Sequence, residues 1–362
     1  MNKGNIAVIG GANIEYIVKS KTDIVQGSKN FVDIEELFGG GGLNYALRLM
    51  STGISVCPLL YIGDDNIGHG IQKTLIFHCE KNSPTHAHVT RDGFFVNGLN
   101  TIRSMIIVEG QHRTILAQDQ NNENLFLPYL KNEIDSASDA TSVLIGHIHN
   151  DRMDINENSS DLSTIFAIDY FSRCEKFIYC NFGSTQLEYG FSFWKEKLKS
   201  IDVLQLNIDE VRSFFKNDGY TPTLLEIIHA LNDLGISAII TLDKFGAIGV
   251  MKNKVDTVFL ARAVELGDDF VDSTGAGDAF CAGMISVLDG KSDFIPEEFK
   301  EAMEVARSWA VYACKSYGGA NHCPSAGTID AFHQKINQGN EVIEYADDRM
   351  IDILSLIDST FS

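Results

Sequence analysis

The sequence predicts an α/β protein: a mainly parallel central sheet with helices on both faces and a small β sheet added at one end. Three observations carry this. Short apolar runs recur along the chain, separated by helical segments, as strand–helix–strand units require. The polar candidates follow strand ends, where open α/β sheets place their ligands. Between 88 and 118 the rhythm breaks into consecutive strands joined by turns, which adds a second sheet.

Ile6-Ala-Val-Ile-Gly-Gly11 is a buried parallel strand ending in glycine, and the β-branched pattern of 14–36 suits exposed strands. Gly39-Gly-Gly-Gly42 opens a helix over Leu43–Met50, with Gly53 just beyond its end. Ser55–Ile62 is the next strand, and Gly63-Asp-Asp-Asn-Ile-Gly68 turns into a helix over about 67–79. Gly93–Asn97, Thr101–Val108 and Thr114–Ala117 read as consecutive strands with turns at Asn97-Gly98 and Glu109-Gly110. Strands resume at 142–146, Thr164–Ile168, 177–181, 202–206 and 237–242. Helices follow near 297–316 and 328–336. The predicted organisation is one α/β domain over 1–336, with 13–38 and 88–118 as the added sheet, and an acidic tail helix over 337–362 around the amphipathic Asp348–Ile357.

Charge and cysteine usage narrow the functional classes. With 362 residues, 44% of them hydrophobic, the chain can bury a large core. A net charge of -20 argues against nucleic-acid partners and anionic membrane surfaces. It also means that a polyanionic substrate needs local backbone donors or a cation. The seven cysteines form no C-x-x-C pair and read as reduced thiols. Without a signal-peptide pattern or a run of membrane-spanning length, the expected location is cytoplasmic.

Asp272-Ser-Thr-Gly-Ala-Gly-Asp-Ala-Phe280 is the most informative stretch. Gly275, Ala276 and Gly277 fall on the first turn of an apolar helix, where backbone N–H groups lack helical partners and glycine admits a close anion. Asp278 stands beside that anion site. A carboxylate there suits a base that takes a proton from a hydroxyl attacking phosphorus. The other reading is a helix start capped by Asp272 or Ser273, with Asp278 favouring the dipole.

Taken in order, the motifs resemble those of the ribokinase (PfkB) family of carbohydrate and nucleoside kinases, over about residues 5–326. Asp272–Asp278 is similar to its second signature, and Gly39-Gly-Gly-Gly-Leu-Asn44 to its first. Asn207-Ile-Asp-Glu210 resembles its N-x-x-E element, Gly63-Asp-Asp65 with Gly68 its G-D-D-x-x-G turn, Thr241-Leu-Asp-Lys-Phe-Gly246 its phosphate loop, and Gly319-Ala320 with Pro324 its closing element. The resemblance implies a ribokinase-like three-layer fold whose small sheet is a lid, with ATP and Mg²⁺ used to phosphorylate a small sugar or nucleoside. It implies Asp278 as base and the Gly275–Asp278 backbone as anion hole. Asn13, Glu15, Gly40, Gly41 and Asn44 would bind the acceptor. Asn207, Thr241, Asp243, Gly246 and Thr274 would lie by the nucleotide, and Glu210 would hold Mg²⁺ through water. Asp272 would join a site for a monovalent cation such as K⁺, and the lid would pair two copies of the chain. For Asn207 and Glu210 a helix capping box is the alternative. For the glycines at 40 and 41 it is a tight turn, and for Asp272 a helix cap.

The chain departs from the pattern at several positions. Glu15 stands where aspartate is usual, Gly41 where lysine is frequent, Asp243 where glycine is usual, and Arg307 where relatives carry asparagine near the adenine. Glu15, Gly41 and the lid aromatics Phe94 and Phe95 leave a nucleoside open as acceptor. Asp243, Arg307 and the tail leave open a ligand-binding protein with little catalysis. The pairs His86/His88 and His147/His149 lack a third metal ligand by spacing. Arg113 could reach an acceptor or brace a turn, and Trp194, Trp309 and Cys281 read as core.

Overall fold

The structure, a computed structural model, describes residues 4–20, 24–79, 83–109, 112–118, 125–148, 151, 162–219, 221–252, 254–319 and 322–361. In chain order the strands are β1 (Asn5–Gly11), β2 (Asn13–Ser20), β3 (Val32–Gly39), β4 (Ser55–Tyr61), β5 (Ile102–Glu109), β6 (His112–Ala117), β7 (Ser142–Ile145), β8 (Phe177–Asn181), β9 (Val203–Asn207), β10 (Ser237–Thr241), β11 (Gly246–Val250), β12 (Thr257–Arg262) and β13 (Ile343–Ala346). Among the described residues nine of them form one sheet in the order β13-β12-β11-β10-β9-β8-β7-β1-β4. It is parallel from β4 to β10 and antiparallel from β10 to β13. The parallel strands are buried and mostly apolar because helices cover both faces. One buried cluster gathers Ile145, Trp194, Phe214 and Leu231, and the other Leu43, Tyr45, Met284 and Phe299. The result is three layers, helix–sheet–helix.

The second sheet has the order β3-β2-β5-β6. β2 leaves β1 after one intervening residue, and β3 runs straight into the helix Gly41–Ser51. The small sheet therefore grows directly out of the carboxyl end of the central strands, which positions Asn13 and Glu15 at the junction. Asp65 ties this junction together. Its carboxylate accepts from the Gly68 N–H at 2.8 Å, the Thr101 N–H at 2.8 Å and the Thr101 hydroxyl at 2.9 Å. Burial opposes its ionisation, but these bonds outweigh it and hold the carboxyl below its usual range.

Three expectations are corrected. Thr164–Ile168 is not a strand but lies in the helix Ser163–Arg173. Its β-branched residues mask a helical spacing that buries Thr164, Ile168 and Phe171. The buried Asp151 supplies the missing start signal by accepting from the N–H groups of Ser163 (2.6 Å) and Thr164 (3.0 Å). Gly93–Asn97 makes only an isolated bridge, Gly63 to Val96. Phe94 and Phe95 are not lid residues. Phe94 is 1% exposed in the main core, and Phe95 packs edge-on to His69 at 4.7 Å. The tail holds an unforeseen strand, β13, ahead of its helix Asp347–Thr360. The Glu109-Gly110 turn and His149 fall partly or wholly outside the described residues, as does the side chain of Arg113.

Candidate active site

The site assembles where strand ends meet helix starts. The helix Ala276–Leu288 follows Gly275, whose φ of 74° turns the chain into the helix, and no side chain caps its start. The alternative reading, a start capped by Asp272 or Ser273, does not match the N-cap, which is Gly275 with no side-chain cap hydrogen bond. Asp272 instead accepts from the Thr274 N–H (3.1 Å) and hydroxyl (2.9 Å) and braces the preceding turn. Behind the tip, Gln205 Nε2 donates to the Gly277 carbonyl at 3.1 Å and is itself held by the Tyr179 hydroxyl at 2.7 Å. This uncapped, braced tip can receive an anion on its N–H groups.

Asp278 stands on the first turn. Asn44 Nδ2 donates to its Oδ2 at 2.6 Å. The Tyr45 hydroxyl, which donates to Asn181 Oδ1 at 2.9 Å, lies close by. Arg48, one turn below Asn44, is 3% exposed and donates to the Gly319 carbonyl at 2.5 Å. Burial raises the Asp278 carboxyl above its ordinary range, while the Asn44 hydrogen bond, the Arg48 charge and the Tyr45 hydroxyl pull it down. A carboxylate so placed can accept a proton while Asn44 fixes its orientation.

A cleft of about 930 Å³ opens beside the tip, lined by Asn207, Glu210, Thr241, Asp243, Gly246 and the Gly275–Asp278 turn. Asn207 and Glu210 form a capping box: Asn207 Oδ1 accepts from the Glu210 N–H and Glu210 Oε2 from the Asn207 N–H, both at 2.8 Å. Burial raises the Glu210 carboxyl, and the Asp278 and Asp209 charges add to it. Asp243 has φ 49°, a left-handed conformation, which accounts for the glycine usual at this position. If ATP occupies this cleft, as the resemblance implies, Asp243→Gly is expected to lower KM for ATP about two- to fivefold, because it removes an exposed carboxylate from the cleft. Titrating ATP in steady-state assays measures this.

Asp272 and Thr274 sit beside the cleft rather than in its lining, where Ser273 appears instead. Asn13 and Glu15 lie across the junction. Asn13 Nδ2 donates to Ser104 Oγ at 3.0 Å, and the Glu15 carboxylate lies against Gly39, where a Cβ would come within 2.5 Å of Oε1. A Cβ on Gly41 would stand 3.5 Å from Asp278 Oδ1. Asp278 thus joins the two groups, lining the cleft while bonded to the Gly39–Asn44 turn. Arg307 lines the cleft too, but it is 3% exposed and donates to the Arg262 carbonyl (3.3 Å), Asn337 Oδ1 and the Asn340 carbonyl. It fastens the start of the tail. Sequence reading missed Gln205, Arg48 and Tyr45. The available signal was a polar side chain inside an apolar run, Val203-Leu-Gln-Leu206 and Leu47-Arg-Leu49.

Among the described residues no three His, Cys, Asp or Glu side chains gather to hold a metal ion, and no helix is long and apolar enough to cross a membrane. Cys281 is fully buried and its thiol is pushed up by that burial, which suits packing.

Comparison with known proteins agrees with this fold. A family model described as pfkB family carbohydrate kinase matches residues 3–326. An ATP-dependent 6-phosphofructokinase of Thermoanaerobacterium thermosaccharolyticum is 24% identical over 309 residues, 83% of this chain and 85% of that protein. The nucleoside kinase of Burkholderia thailandensis, solved with inosine, superposes with a TM-score of 0.69 at 14% identity, covering 93% of this chain and 99% of that one. The ribokinase of Arabidopsis thaliana, complexed with ribose and ATP, gives 0.66 at 16% identity over 92% and 99%. These structures share the fold, and the family match spans both the small sheet and the helix that carries Asp278. The chain therefore belongs to the pfkB family and is a carbohydrate kinase, a phosphotransferase.

Proposed function

We propose that the protein transfers the terminal phosphoryl group of ATP, with Mg²⁺, to a hydroxyl of a small sugar. One observation carries this reading: Asp278 borders the uncapped helix tip in the cleft and is bonded at 2.6 Å to Asn44 of the glycine turn. The acceptor lies on the Asn13, Glu15, Gly40, Gly41 and Asn44 side, and ATP in the cleft. The Asp278 carboxylate takes the proton of the attacking hydroxyl. The N–H groups from Gly275 to Asp278 face the oxygens on which charge develops, and Gln205 keeps the turn from shifting as it does. Asn207 orients Glu210 through the capping box. The small sheet closes over the acceptor and excludes water, which would otherwise compete as acceptor.

The surroundings of Glu210 fit a magnesium ion. Its carboxyl and that of Asp278 are both raised by burial, and the Asp278 charge raises Glu210 further, a penalty that a dication relieves. With one carboxylate on offer rather than a protein cage, the ion would rest chiefly on phosphate and water. When bound, it neutralises charge on the phosphates.

A screen of ATP consumption against free sugars, sugar phosphates and nucleosides, with mass analysis of the product, tests the proposal. A free sugar gaining one phosphoryl group is the expected result; no turnover in any class overturns it. A nucleoside acceptor is the second reading. It rests on Glu15 and on the likeness to the kinase solved with inosine, since Phe94 and Phe95 no longer support it.

A further inference from the structure

The tail beyond residue 326 lies outside the matched family span, yet its Phe361 lines the cleft. Its route is fixed at each stage. Arg307 holds Asn337 and Asn340. β13 then adds to the open edge of β12, pairing Thr257 with Ala346 through Leu260 with Ile343. The following helix buries Met350, Leu354 and Ile357 against the core. At its end Arg212 donates to Asp358 Oδ1 at 2.8 Å and to the Phe361 carbonyl at 2.6 Å, while Asp358 Oδ2 accepts from the Leu224 N–H at 2.9 Å. Arg212 belongs to the helix that begins at the Asn207–Glu210 box. The last residues are therefore anchored to the same element that carries the expected magnesium anchor.

These tethers set the ring of Phe361 edge-on to Phe245, with centroids 5.3 Å apart and planes at 74°, and both rings line the cleft. The lining is chemically divided. Asn207, Glu210 and the Gly275–Asp278 turn make it polar and suited to phosphates. Phe245, Val264, Leu266, Phe270, Val311 and Phe361 belong to its apolar share. Phe245 is 42% exposed and Phe270 56% exposed, so large aromatic surface is left open to a flat apolar ligand. With the phosphates drawn to the helix tip, the heterocyclic base is the part of a nucleotide that matches this surface.

We propose that the C-terminal segment completes the nucleotide pocket of this chain, with Phe361 as an aromatic wall against the base of ATP. This rests on the reading of the cleft as the ATP site. Phe361 is a specificity element supplied from outside the family span, and the tail serves as part of the binding site rather than as a separate appendage.

The test compares the wild-type protein with F361A and F361Y, using ATP and inorganic tripolyphosphate, which has the phosphates but no base. F361A is expected to raise KM for ATP about five- to tenfold, the range of one lost aromatic contact, with the loss falling on KM rather than kcat. F361Y keeps the ring and recovers most of the loss. Inhibition by tripolyphosphate stays at the wild-type level in both variants. An unchanged KM for ATP in F361A, with wild-type protein that uses ATP, overturns the inference and leaves the ATP reading standing. Equal weakening of ATP and tripolyphosphate also overturns it, by making Phe361 a prop for the phosphate loop at Phe245. Calorimetry showing that the wild-type protein binds neither ATP nor ADP removes both readings together.

Discussion

Asp278→Asn is expected to lower kcat by about 10²- to 10⁴-fold, the contribution of a positioned general base. Asparagine keeps the size of the side chain and offers an oxygen to Asn44 Nδ2, so the 2.6 Å contact has a replacement partner. It cannot take the proton. Steady-state assays with the best acceptor from the screen measure the loss, and near-wild-type turnover would remove Asp278 as the base. The fold is expected to gain. Burial raises the folded-state carboxyl above its unfolded value, so ionising it works against folding. That destabilisation is absent below the unfolded pKa and complete above the folded one. At neutral pH the asparagine variant is free of it, and its Tm is expected to be higher than wild type, which separates lost chemistry from lost structure. The same shift sets the pH profile. Because the base acts ionised, kcat/KM rises with pH through a pKa above the ordinary aspartate range. The groups that face Asp278 are Asn44, Tyr45 and Arg48 from one helix and Glu210 from another. Asn44→Ala deletes a bond that favours the charged form, so the acid limb moves to higher pH.

How much of this was legible depended on whether a residue's signal was local. Gly275, Ala276 and Gly277 ahead of Asp278 announce a helix start that lets an anion approach, and the structure leaves that start uncapped. Asn207 and Glu210, three residues apart, announce a capping box, and the box is there. Thr164–Ile168 misled because its cap comes from Asp151, well upstream, while its β-branched residues imitate a strand. Phe94 and Phe95 misled because aromatic residues beside a β region have the same composition whether they face a ligand or the core. Arg307 lines the cleft, but its guanidinium is turned to Asn337 and Asn340, partners whose proximity only the folded chain reveals. β13 is four residues long and mostly exposed, and it is a strand because β12 presents a free edge.

Gly275→Ala is expected to damage both stability and catalysis, and Gly277→Ala catalysis alone. Gly275 adopts φ 74°, ψ 8°, which costs an L-residue about 1–2 kcal/mol. A Cβ there would also stand 2.5 Å from Gly319 Cα, a methyl pressed against fixed backbone. Gly319 has little room to retreat. Its carbonyl is held by Arg48 at 2.5 Å, and a Cβ on Gly319 itself would lie 2.1 Å from Asn44 Nδ2. The added methyl must therefore push the helix tip away or disturb the Arg48–Gly319–Asn44 packing that supports Asp278. Either displacement misaligns donors or base, and loss of one such donor elsewhere costs about 10²- to 10³-fold in kcat. Thermal unfolding is expected to show a lower Tm for this variant. At Gly277 the outcome separates the two roles. A Cβ there meets nothing within 4 Å, so the fold accepts it, and alanine favours the helix. The methyl instead occupies the exposed approach to the tip's N–H groups, so Tm holds or rises while KM for ATP increases. Wild-type kinetics in Gly277→Ala would mean that phosphate does not come down onto this turn, and the anion-hole assignment would have to move elsewhere in the cleft.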